Sequence, residues 1–570
     1  MIEDNIKFLK AKKLELLETY RDKIEPASTS SYIFNQVQGF ECEEGNANRP
    51  FYEIAPKFYK KQQDATSGKK GPDLAIVSGT NNGLAVEPHV EFKHLIVIEP
   101  ELPSYLASLD VVNWPELKDE YERSNRSIYI HVGKMDIKAK ESLKLHLEHI
   151  GLYNAHKVSM SYDSEKKSSI KAMKEVLNCL QETVGNFGFF DDEKDGMSHT
   201  IENMSHDPRV LMGVSQPWIK KTAIVCGNGP SLTNSMEMIK SIREKVFVIS
   251  CGTTLGALFR NGIKPDLHVE KERPKVIRNW IARSTTSEYR KGIAMIGLNV
   301  IHPEIRELFD EVMYCMKSND LGATLMDTGG LRLPKVMFSG PLASNFGLSV
   351  AVAIGFKSIY MAGVDCAFTD DGQRHADGHP VKYEANGKIE LPGNFREKVW
   401  SDDMYNRSRK NLELVIHYSK GIEFFNLSDG AKIMGADPAE SVNACDELEA
   451  FDPYDNFREI GLSIDRGKVR KHCVEGIDQF SKFCFFTKDL DEIYKELKRL
   501  KQTNPVCWGL IKGSVNTQLT FLARATKEEF PKSFLIFLDF LMAMRIKIGQ
   551  QLFKFCEWES NGGLPDDVNA

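Results

Sequence analysis

The feature that most restricts the fold is an alternation of short apolar runs with helical stretches between about residues 210 and 440. The runs are rich in β-branched residues, and they fall at Thr222–Cys226, Val246–Cys251, Leu267–Glu270, Ile293–Leu298, Ser358–Gly363 and Ile422–Asn426. Stretches with helical spacing separate them, at Asn234–Ser241, Leu255–Asn261 and Leu342–Gly355. Alternation of this kind predicts an α/β domain built on a parallel sheet.

At 570 residues the chain is too long for one core, so we predict three domains. Residues 1–195 mix helix and strand patterns and end in a predicted helix, Ser164–Glu182, with Ser164 as its N-cap. A linker of low order is expected at Asp191–Pro208, which is rich in Asp, Gly, Ser and Asn. The predicted fold is α/β: a Rossmann-like (GT-A or sialyltransferase-like) central domain at 196–440, an α/β N-terminal domain, and an all-helical domain at 441–570.

Charge and hydropathy exclude several functions. The 74 basic and 80 acidic residues leave a net charge of −6, which argues against a nucleic-acid binder whose affinity is mainly electrostatic. Met1–Ile24 is predicted to be a charged amphipathic helix rather than a secretory signal. The most apolar stretch, Phe534–Met544, is too short to span a membrane. We therefore expect a cytoplasmic protein.

A candidate phosphate loop follows the first predicted strand of the central domain. Its residues are Gly227, Asn228, Gly229, Pro230 and Ser231, and a helix follows. The glycines allow a tight turn and close approach of a ligand, and Ser231 is predicted to cap the helix start, where free N–H groups favour an anion. The pattern is neither a Rossmann nor a Walker motif, and a plain strand-to-helix turn is the alternative.

Further polar residues follow other predicted strands, at the sheet edge where open α/β sheets bind ligands. Thr253 follows the second strand, and Glu270 ends the third, although a solvated charged loop is the alternative there. Ser339 and Gly340 precede a helix and offer a cap and an open backbone to an anion.

Asp365 follows a later strand, and the loop His375-Ala376-Asp377-Gly378-His379 comes next. A histidine there suits a general base near neutral pH, and a surface loop histidine is the alternative. The 11 cysteines include no C-x₂₋₄-C pair, and the two histidines with one aspartate are a weak metal set, so no metal site is predicted.

These motifs, in this order, resemble the motility-associated factor (Maf) flagellin glycosyltransferases. The pieces are CGNGPSL, NGIKPD, SGPLASNFGLSVAVAIGFKSIYMAGVD, HADGH and NLSDGAKIMG. The central region is also similar to the bacterial family 42 sialyltransferases, which use CMP-activated sialic acid. That resemblance implies His379 as catalytic base with His375 as its partner position, and Asn228, Gly229 and Ser231 around the CMP phosphate and ribose. Thr253 and Glu270 stand near positions where that family has asparagines.

The resemblance implies transfer of a pseudaminic or legionaminic type nonulosonic acid from its CMP donor to Ser or Thr hydroxyls of flagellin, for flagellum assembly and motility. No cofactor is expected, and Mg²⁺ is not expected to be essential. Two alternatives stay open. The central domain also resembles an archaeal 6-hydroxymethylpterin diphosphokinase, which would place Glu270 and Asp365 on a magnesium ion. A flagellin chaperone that kept a nucleotide fold is the other.

Overall fold

The computed structural model describes residues 49–50, 73–124, 126–156, 158–184, 190–205, 208–213, 219–370, 372–376, 389–443, 454–460, 465, 467–468, 471, 474–475, 490–524 and 530–561. The chain divides into two compact units. The first comprises Met1–Gly188, Phe480–Arg499 and Ile511–Ile546, and the second comprises Phe189–Gln479, Leu500–Leu510 and Lys547–Ala570. The predicted domain boundaries at 195 and 440 stay predictions.

The first unit contains a five-stranded sheet in the order β1-β5-β2-β3-β4. Its strands are β1 (Arg49–Pro50), β2 (Leu74–Ser78), β3 (His94–Glu99), β4 (Ser127–Val132) and β5 (Val158–Tyr162). All pairs are parallel except β1 with β5. The helices are α1 (Leu102–Ser108), α2 (Trp114–Arg123), α3 (Ile137–Ile150) and α4 (Lys167–Val184). Alternate residues of β2 belong to two different buried clusters, as expected for a parallel sheet that is covered on both faces.

The second unit contains the larger sheet, in the order β17-β16-β13-β7-β8-β9-β10-β11-β6-β18, with β12 beside β11. Its strands are β6 (Arg209–Leu211), β7 (Ile219–Cys226), β8 (Phe247–Cys251), β9 (Leu267–Glu270), β10 (Ala294–Leu298), β11 (Glu311–Lys317), β12 (Lys335–Val336), β13 (Phe356–Ala362), β16 (Glu423–Asn426), β17 (Asp437–Pro438) and β18 (Phe457–Glu459). A separate antiparallel hairpin pairs β14 (Ile389–Pro392) with β15 (Lys398–Ser401).

Helices connect these strands. They are α5 (Phe190–Met204), α6 (Leu232–Ser241), α7 (Thr254–Arg260), α8 (Val276–Ser284), α9 (Ser287–Arg290), α10 (Leu321–Thr328), α11 (Ala343–Ile354) and α12 (Asp403–Tyr418). Short 3-10 turns lie at Asn81–Gly83, Glu87–His89, Leu152–His156, Arg243–Lys245 and Pro303–Leu308. The predicted α/β class with a parallel central sheet is confirmed.

The strand order creates a switch point between β7 and β13. From β7 the chain moves outward through β8, β9, β10 and β11, and it then returns to the other side of β7 as β13 and β16. At such a point the two connections leave the sheet in opposite directions and open a crevice beyond the carboxyl ends of the strands. The loops after β7 and β13 therefore form the walls of the natural ligand crevice of this fold.

Helix α11 packs across the centre of this sheet. A Cβ added at its Gly347 would lie 2.3 Å from Cys251 Sγ and 3.1 Å from a Val225 methyl carbon. Only glycine therefore lets the helix approach β7 and β8 this closely, and the close packing fixes the start of α11 near the carboxyl ends of the strands.

Three predictions are corrected by the structure. The stretch predicted as a linker, Asp191–Pro208, is largely helix α5, whose polar residues form long-range hydrogen bonds. Helix α4 begins at Lys167, so Ser164 is not its N-cap. The region predicted to be all-helical contributes β18, which pairs antiparallel with β6 at the edge of the central sheet.

Three helices lie in the C-terminal part of the chain: α13 (Leu490–Thr503), α14 (Pro505–Arg524) and α15 (Phe530–Asn561). Helical structure at Leu490–Leu500 and Lys532–Glu557 is confirmed. None of the helices in the described ranges combines the length and hydropathy needed to cross a membrane. The predicted N-terminal helix Met1–Ile24 lies outside the described residues.

Candidate functional site

The loop after β7 and the loop after β13 touch through their backbones. Gly229 N–H donates to Gly363 O over 2.8 Å, and Gly227 N–H donates to Ala362 O over the same distance. A Cβ on Gly227 would lie 2.5 Å from Gly363 O, and one on Gly229 would lie 1.9 Å from Asp365 Oδ2. The two glycines of the predicted phosphate loop are therefore required by the close approach of the loops at the switch point.

Ser231 departs from its predicted capping role. It precedes α6 with helical backbone angles (φ −70°, ψ −11°) and makes no side-chain cap hydrogen bond. Its backbone N–H instead donates to Asp365 Oδ2 over 3.3 Å. The start of α6 is therefore oriented by a carboxylate from the loop after β13, which no local sequence rule would have found.

A cavity of about 820 Å³ occupies the crevice. It extends from the phosphate loop across the ends of β8 and β9 to helices α7 and α8, and its other walls are the start of α11, the loop after β13 and the start of α12. Of the predicted site residues, those that line it are Gly227, Asn228, Gly229, Thr253, Glu270, Asp365 and His375. A nucleotide sugar is the size of ligand that such a pocket accommodates.

A smaller cavity of about 250 Å³ adjoins the first through Asp365 and Ala367. Pro230 and Ser231 line this smaller cavity, together with Thr233, Asn234 and Arg396. The predicted phosphate loop is therefore divided: its first three residues face the large cavity and its last two face the small one.

Asn228 connects the ends of β7 and β8. Its side-chain amide donates to Thr253 Oγ1 over 3.0 Å. Its Oδ1 is buried and accepts no hydrogen bond from the described residues. A buried amide oxygen without a partner is costly, so its position at the cavity wall fits a ligand that donates a hydrogen bond there.

Asp365 is a buried carboxyl shared by the two cavities, and it is 6% exposed. Burial raises the pKa of Asp365 to about 6. The next residue, Cys366, has a left-handed backbone with φ 48°. Such strain in a residue other than glycine clusters at functional sites, where the surrounding fold maintains it.

Glu270 is the second buried carboxyl, at the end of β9. Its Oε1 accepts the backbone N–H groups of Lys271 at 2.8 Å and Glu272 at 3.0 Å. Burial, followed by the nearby charge of Glu272, raises the pKa of Glu270 to about 7. Two carboxyls with raised pKa values in one cavity are the arrangement expected of general acid–base groups.

The loop at residues 372–376 carries His375 and Arg374 to the cavity wall. Arg374 is held from α12: its guanidinium forms an ion pair with Asp402 and lies 4.6 Å from the centre of the Tyr405 ring. Tyr405 Oη in turn donates to Arg374 O over 3.0 Å. His379, the predicted base, lies outside the described residues, as do Asp377 and Gly378.

Ser339 and Gly340, which the sequence predicts to contact the ligand, come just before Pro341 and Leu342 in the chain. Among the described residues that line the large cavity, the chain before α11 is represented by Pro341 and Leu342, and neither Ser339 nor Gly340 is included. Helix α11 begins after Leu342, which takes the N-cap position in place of Ser339, and the N–H of Leu342 donates to Asn345 Oδ1 over 3.0 Å.

Sequence reasoning missed Arg374, Tyr405 and Trp280, which line the cavity. Arg374 stands next to a predicted residue and could have been chosen on that ground. Trp280 lies on one stripe of α8 with Val276 and Ser284, and this pattern fits a core-facing helix face equally well. Tyr405 has no local signal, since α12 reaches the cavity only through the fold.

The fold and the cavity define a class: a doubly wound α/β protein with a crevice at its switch point, where proteins of this fold bind their ligands. Residues 30–184 match the family model of the glycosyltransferase Maf N-terminal domain. Residues 197–371 match the family described as 6-hydroxymethylpterin diphosphokinase MptE-like. No curated protein matches the sequence significantly.

A solved structure, described as a Maf glycosyltransferase from Magnetospirillum magneticum AMB-1, is similar to the chain with a TM-score of 0.63. The identity is 19%, and the similarity covers 94% of this chain and 85% of that one, which supports the fold. The match at residues 30–184 supports the predicted resemblance to the Maf glycosyltransferases over that part of the chain. The similarity to family 42 sialyltransferases stays a prediction.

Proposed function

We propose that this Maf-type glycosyltransferase moves a nonulosonic acid of the pseudaminic or legionaminic type from its CMP donor to Ser or Thr hydroxyls of flagellin. The observation that carries the proposal is the large cavity at the switch point between β7 and β13. It brings the phosphate loop, two buried carboxyls and His375 to one crevice. Glycosyl transfer from a nucleotide donor needs a phosphate cradle and a proton acceptor within one site.

In the proposed reaction a base removes the proton of the acceptor hydroxyl as its oxygen bonds to the anomeric carbon of the sugar. The bond from that carbon to the phosphate oxygen breaks, and CMP leaves with the electron pair. In this proposal the leaving phosphate lies beside the loop at Gly227–Gly229, which lines the cavity. The N–H groups of Gly227 and Gly229 donate to Ala362 O and Gly363 O, so these two groups hold the loop in position. His379 is the proposed base, and His375 is its proposed partner. Asp365, which connects the loop after β13 to the loop after β7, is the proposed catalytic carboxyl.

Asp365 suits this role because of its surroundings. Its pKa of about 6 leaves a large share ionised near neutral pH, and the backbone N–H of Ser231 supports the charged form. From the wall between the two cavities it could orient a histidine or accept a proton itself. The resemblance to Maf proteins supplies the donor and acceptor of the proposal, and the cavity supplies the place.

The decisive experiment is the intact mass of flagellin coexpressed with this protein and a CMP-nonulosonate pathway. We expect a mass increase in steps of one nonulosonic acid, and we expect His379→Ala to abolish it. An increase that persists in His379→Ala but is lost in His375→Ala would assign the base to His375. No increase with any CMP-nonulosonate would contradict the proposed transfer.

The match of residues 197–371 to the MptE-like family favours one other candidate, a 6-hydroxymethylpterin diphosphokinase. Glu270 and Asp365 would then hold a magnesium ion, and ATP would occupy the crevice. Incubation with 6-hydroxymethylpterin, ATP and Mg²⁺, followed by detection of AMP and the pterin diphosphate, tests it directly. For a chaperone, flagellin would still bind after His379→Ala while no sugar was transferred by the wild type.

A further inference from the structure

The large cavity has two chemically different ends. One end is polar and is formed by the phosphate loop, Asp365, Arg374 and His375. The other end lies between α7 and α8, where five apolar residues line the cavity beside Arg260, Arg283 and Ser284: Leu255, Val276, Ile277, Trp280 and Ile281. A ligand that fills both ends therefore meets an apolar surface with one aromatic side chain at the α8 end.

Helix α8 presents this apolar wall through its periodicity. Val276, Ile277, Trp280, Ile281 and Ser284 all line the cavity, and their spacing of one, four, five and eight residues from the first places them on one stripe of the helix. Ile277 and Ile281 are buried, 8% and 4% exposed, whereas Trp280 is half-buried. The two isoleucines anchor the helix, and the indole of Trp280 is left at the surface of the cavity.

The position of α8 is fixed by a close contact with α7. A Cβ on Gly256 of α7 would lie 2.8 Å from Ser284 Cβ of α8. The two small residues let the helices approach, and both residues also line the cavity. The wall that carries Trp280 is therefore part of the packed fold rather than a loose edge.

The strand order gives the direction in which a nucleotide would lie. In doubly wound folds the first βα turn binds the phosphates, and the nucleoside lies toward the strands that follow it in the chain. Here the phosphate loop follows β7, and Asn228 of that loop donates to Thr253 after β8, over 3.0 Å. The same direction along the sheet, from β7 through β8 to β9, leads past Glu270 at the end of β9 and then to α8.

We infer that Trp280 is the platform on which the nucleobase of the donor nucleotide stacks, with the ribose between Thr253 and Glu270 and the phosphate at Gly227–Gly229. This inference rests on the proposed function for its donor. It places the transferred sugar at the opposite end of the cavity, beside Asp365, Arg374 and His375. An indole offers a flat face to a base without selecting its hydrogen-bonding edge.

The test is a titration of the full-length protein with CMP, followed by tryptophan fluorescence and by calorimetry. Trp280→Ala should raise the Kd for CMP about tenfold or more. Trp280→Phe, which keeps an aromatic face, should bind CMP nearly as well in calorimetry but lose most of the fluorescence quenching. Trp508→Phe is the matched control, since Trp508 is half-buried and is not among the lining residues described for the cavity.

Ribose 5-phosphate, which lacks a base, should bind wild type and Trp280→Ala equally. Unchanged CMP affinity in Trp280→Ala, or equal weakening of CMP and ribose 5-phosphate, would overturn the inference. If Trp280→Ala fails to fold, persistent quenching by CMP in Trp280→Phe would overturn it instead. Flagellin modification by the wild type is measured in parallel: binding through Trp280 without sugar transfer contradicts the proposed function alone, and transfer with unchanged CMP affinity contradicts the platform alone.

Discussion

The backbone N–H of Ala376 donates to the carbonyl oxygen of Asn228 over 2.9 Å. This bond ties the loop that carries Arg374 and His375 to the phosphate loop, across almost 150 residues of sequence. Because Asn228 also donates to Thr253, one residue connects the ends of three strand–loop elements. A change in the backbone of the phosphate loop should therefore also move His375.

The first prediction concerns Gly229→Ala. The added methyl group would lie 1.9 Å from Asp365 Oδ2 and 2.7 Å from Gly363 O, so one of the two loops must move. We expect CMP binding to fall at least tenfold and sugar transfer to be lost. Calorimetry with CMP measures the first, and flagellin mass measures the second. Gly213→Ala is the control, because nothing lies within 4 Å of its added Cβ; equal behaviour of the two variants would contradict the close approach.

A second prediction follows from the raised pKa of Glu270. Its value moves from 4.5 to about 7 on folding, so the folded state retains the proton more strongly. This contribution to stability is complete below about pH 4.5 and is lost as the pH rises through about 7. The side chain in Glu270→Gln is neutral at every pH. Between about pH 5.5 and about pH 8.5, the free energy of unfolding should therefore fall less in Glu270→Gln than in wild type, by on the order of 1–3 kcal/mol.

Thermal unfolding of both proteins at the two pH values checks this. The change in Tm between them should be smaller for Glu270→Gln than for wild type. The exposed Glu288→Gln provides the control and should follow wild type. The same slope in all three proteins would show that Glu270 titrates in the folded state as it does in the unfolded chain.

The positions of the regular elements in the central sheet were predictable from the sequence, but which strands pair with one another was not. β-Branched runs and helical spacing located β7, β8 and β9 within a few residues, because these signals are local. The order of the strands depends on contacts between distant segments. The pairing of β7 with β13, which creates the crevice, joins Cys226 to Ala362, and no local pattern encodes it.

The errors have physical causes of the same kind. Ser231 has a residue type suited to capping, but its N–H is taken by Asp365 from another loop. Helix α5 has a composition typical of a loop, yet its polar side chains are satisfied by distant partners. Trp280 lies on a stripe that is indistinguishable from a core-facing helix face until the cavity is seen. Tertiary contacts override local preference in each case.

The third prediction concerns the support of Arg374 by α12. Tyr405→Phe removes the hydroxyl that donates to Arg374 O and keeps the ring beneath the guanidinium. We expect kcat/KM for transfer to fall about tenfold, since the loop that carries His375 loses one anchor, with stability lowered by only about 1 kcal/mol. Tyr289→Phe is the control, because its hydroxyl also donates to a backbone carbonyl, that of Ile263, and Tyr289 is outside the lining described for the cavity.

Equal losses of transfer in Tyr405→Phe and Tyr289→Phe would mean that a general loss of stability explains both. A further comparison separates position from charge. Asp402→Asn removes the negative partner of Arg374. In this ion pair the side chain of Arg374 is 9% exposed and that of Asp402 is 10% exposed. Combined with Tyr405→Phe, Asp402→Asn should cost less than the sum of the two single losses, because both changes release the same loop.

The last prediction tests helix α5, the segment whose composition suggested a linker. Asn203 is 1% exposed, and its amide donates to Asn299 O over 3.0 Å and to Ile301 O over 2.9 Å. Asn203→Ala leaves two buried carbonyl oxygens without this donor, which should lower the free energy of unfolding by roughly 2–4 kcal/mol. Asn261→Ala removes only a bond to Ala257 O, one turn earlier in the chain, and should cost about 1 kcal/mol or less. Chemical denaturation of both variants distinguishes the possibilities: a linker would tolerate Asn203→Ala at least as well as Asn261→Ala, whereas a packed helix would not.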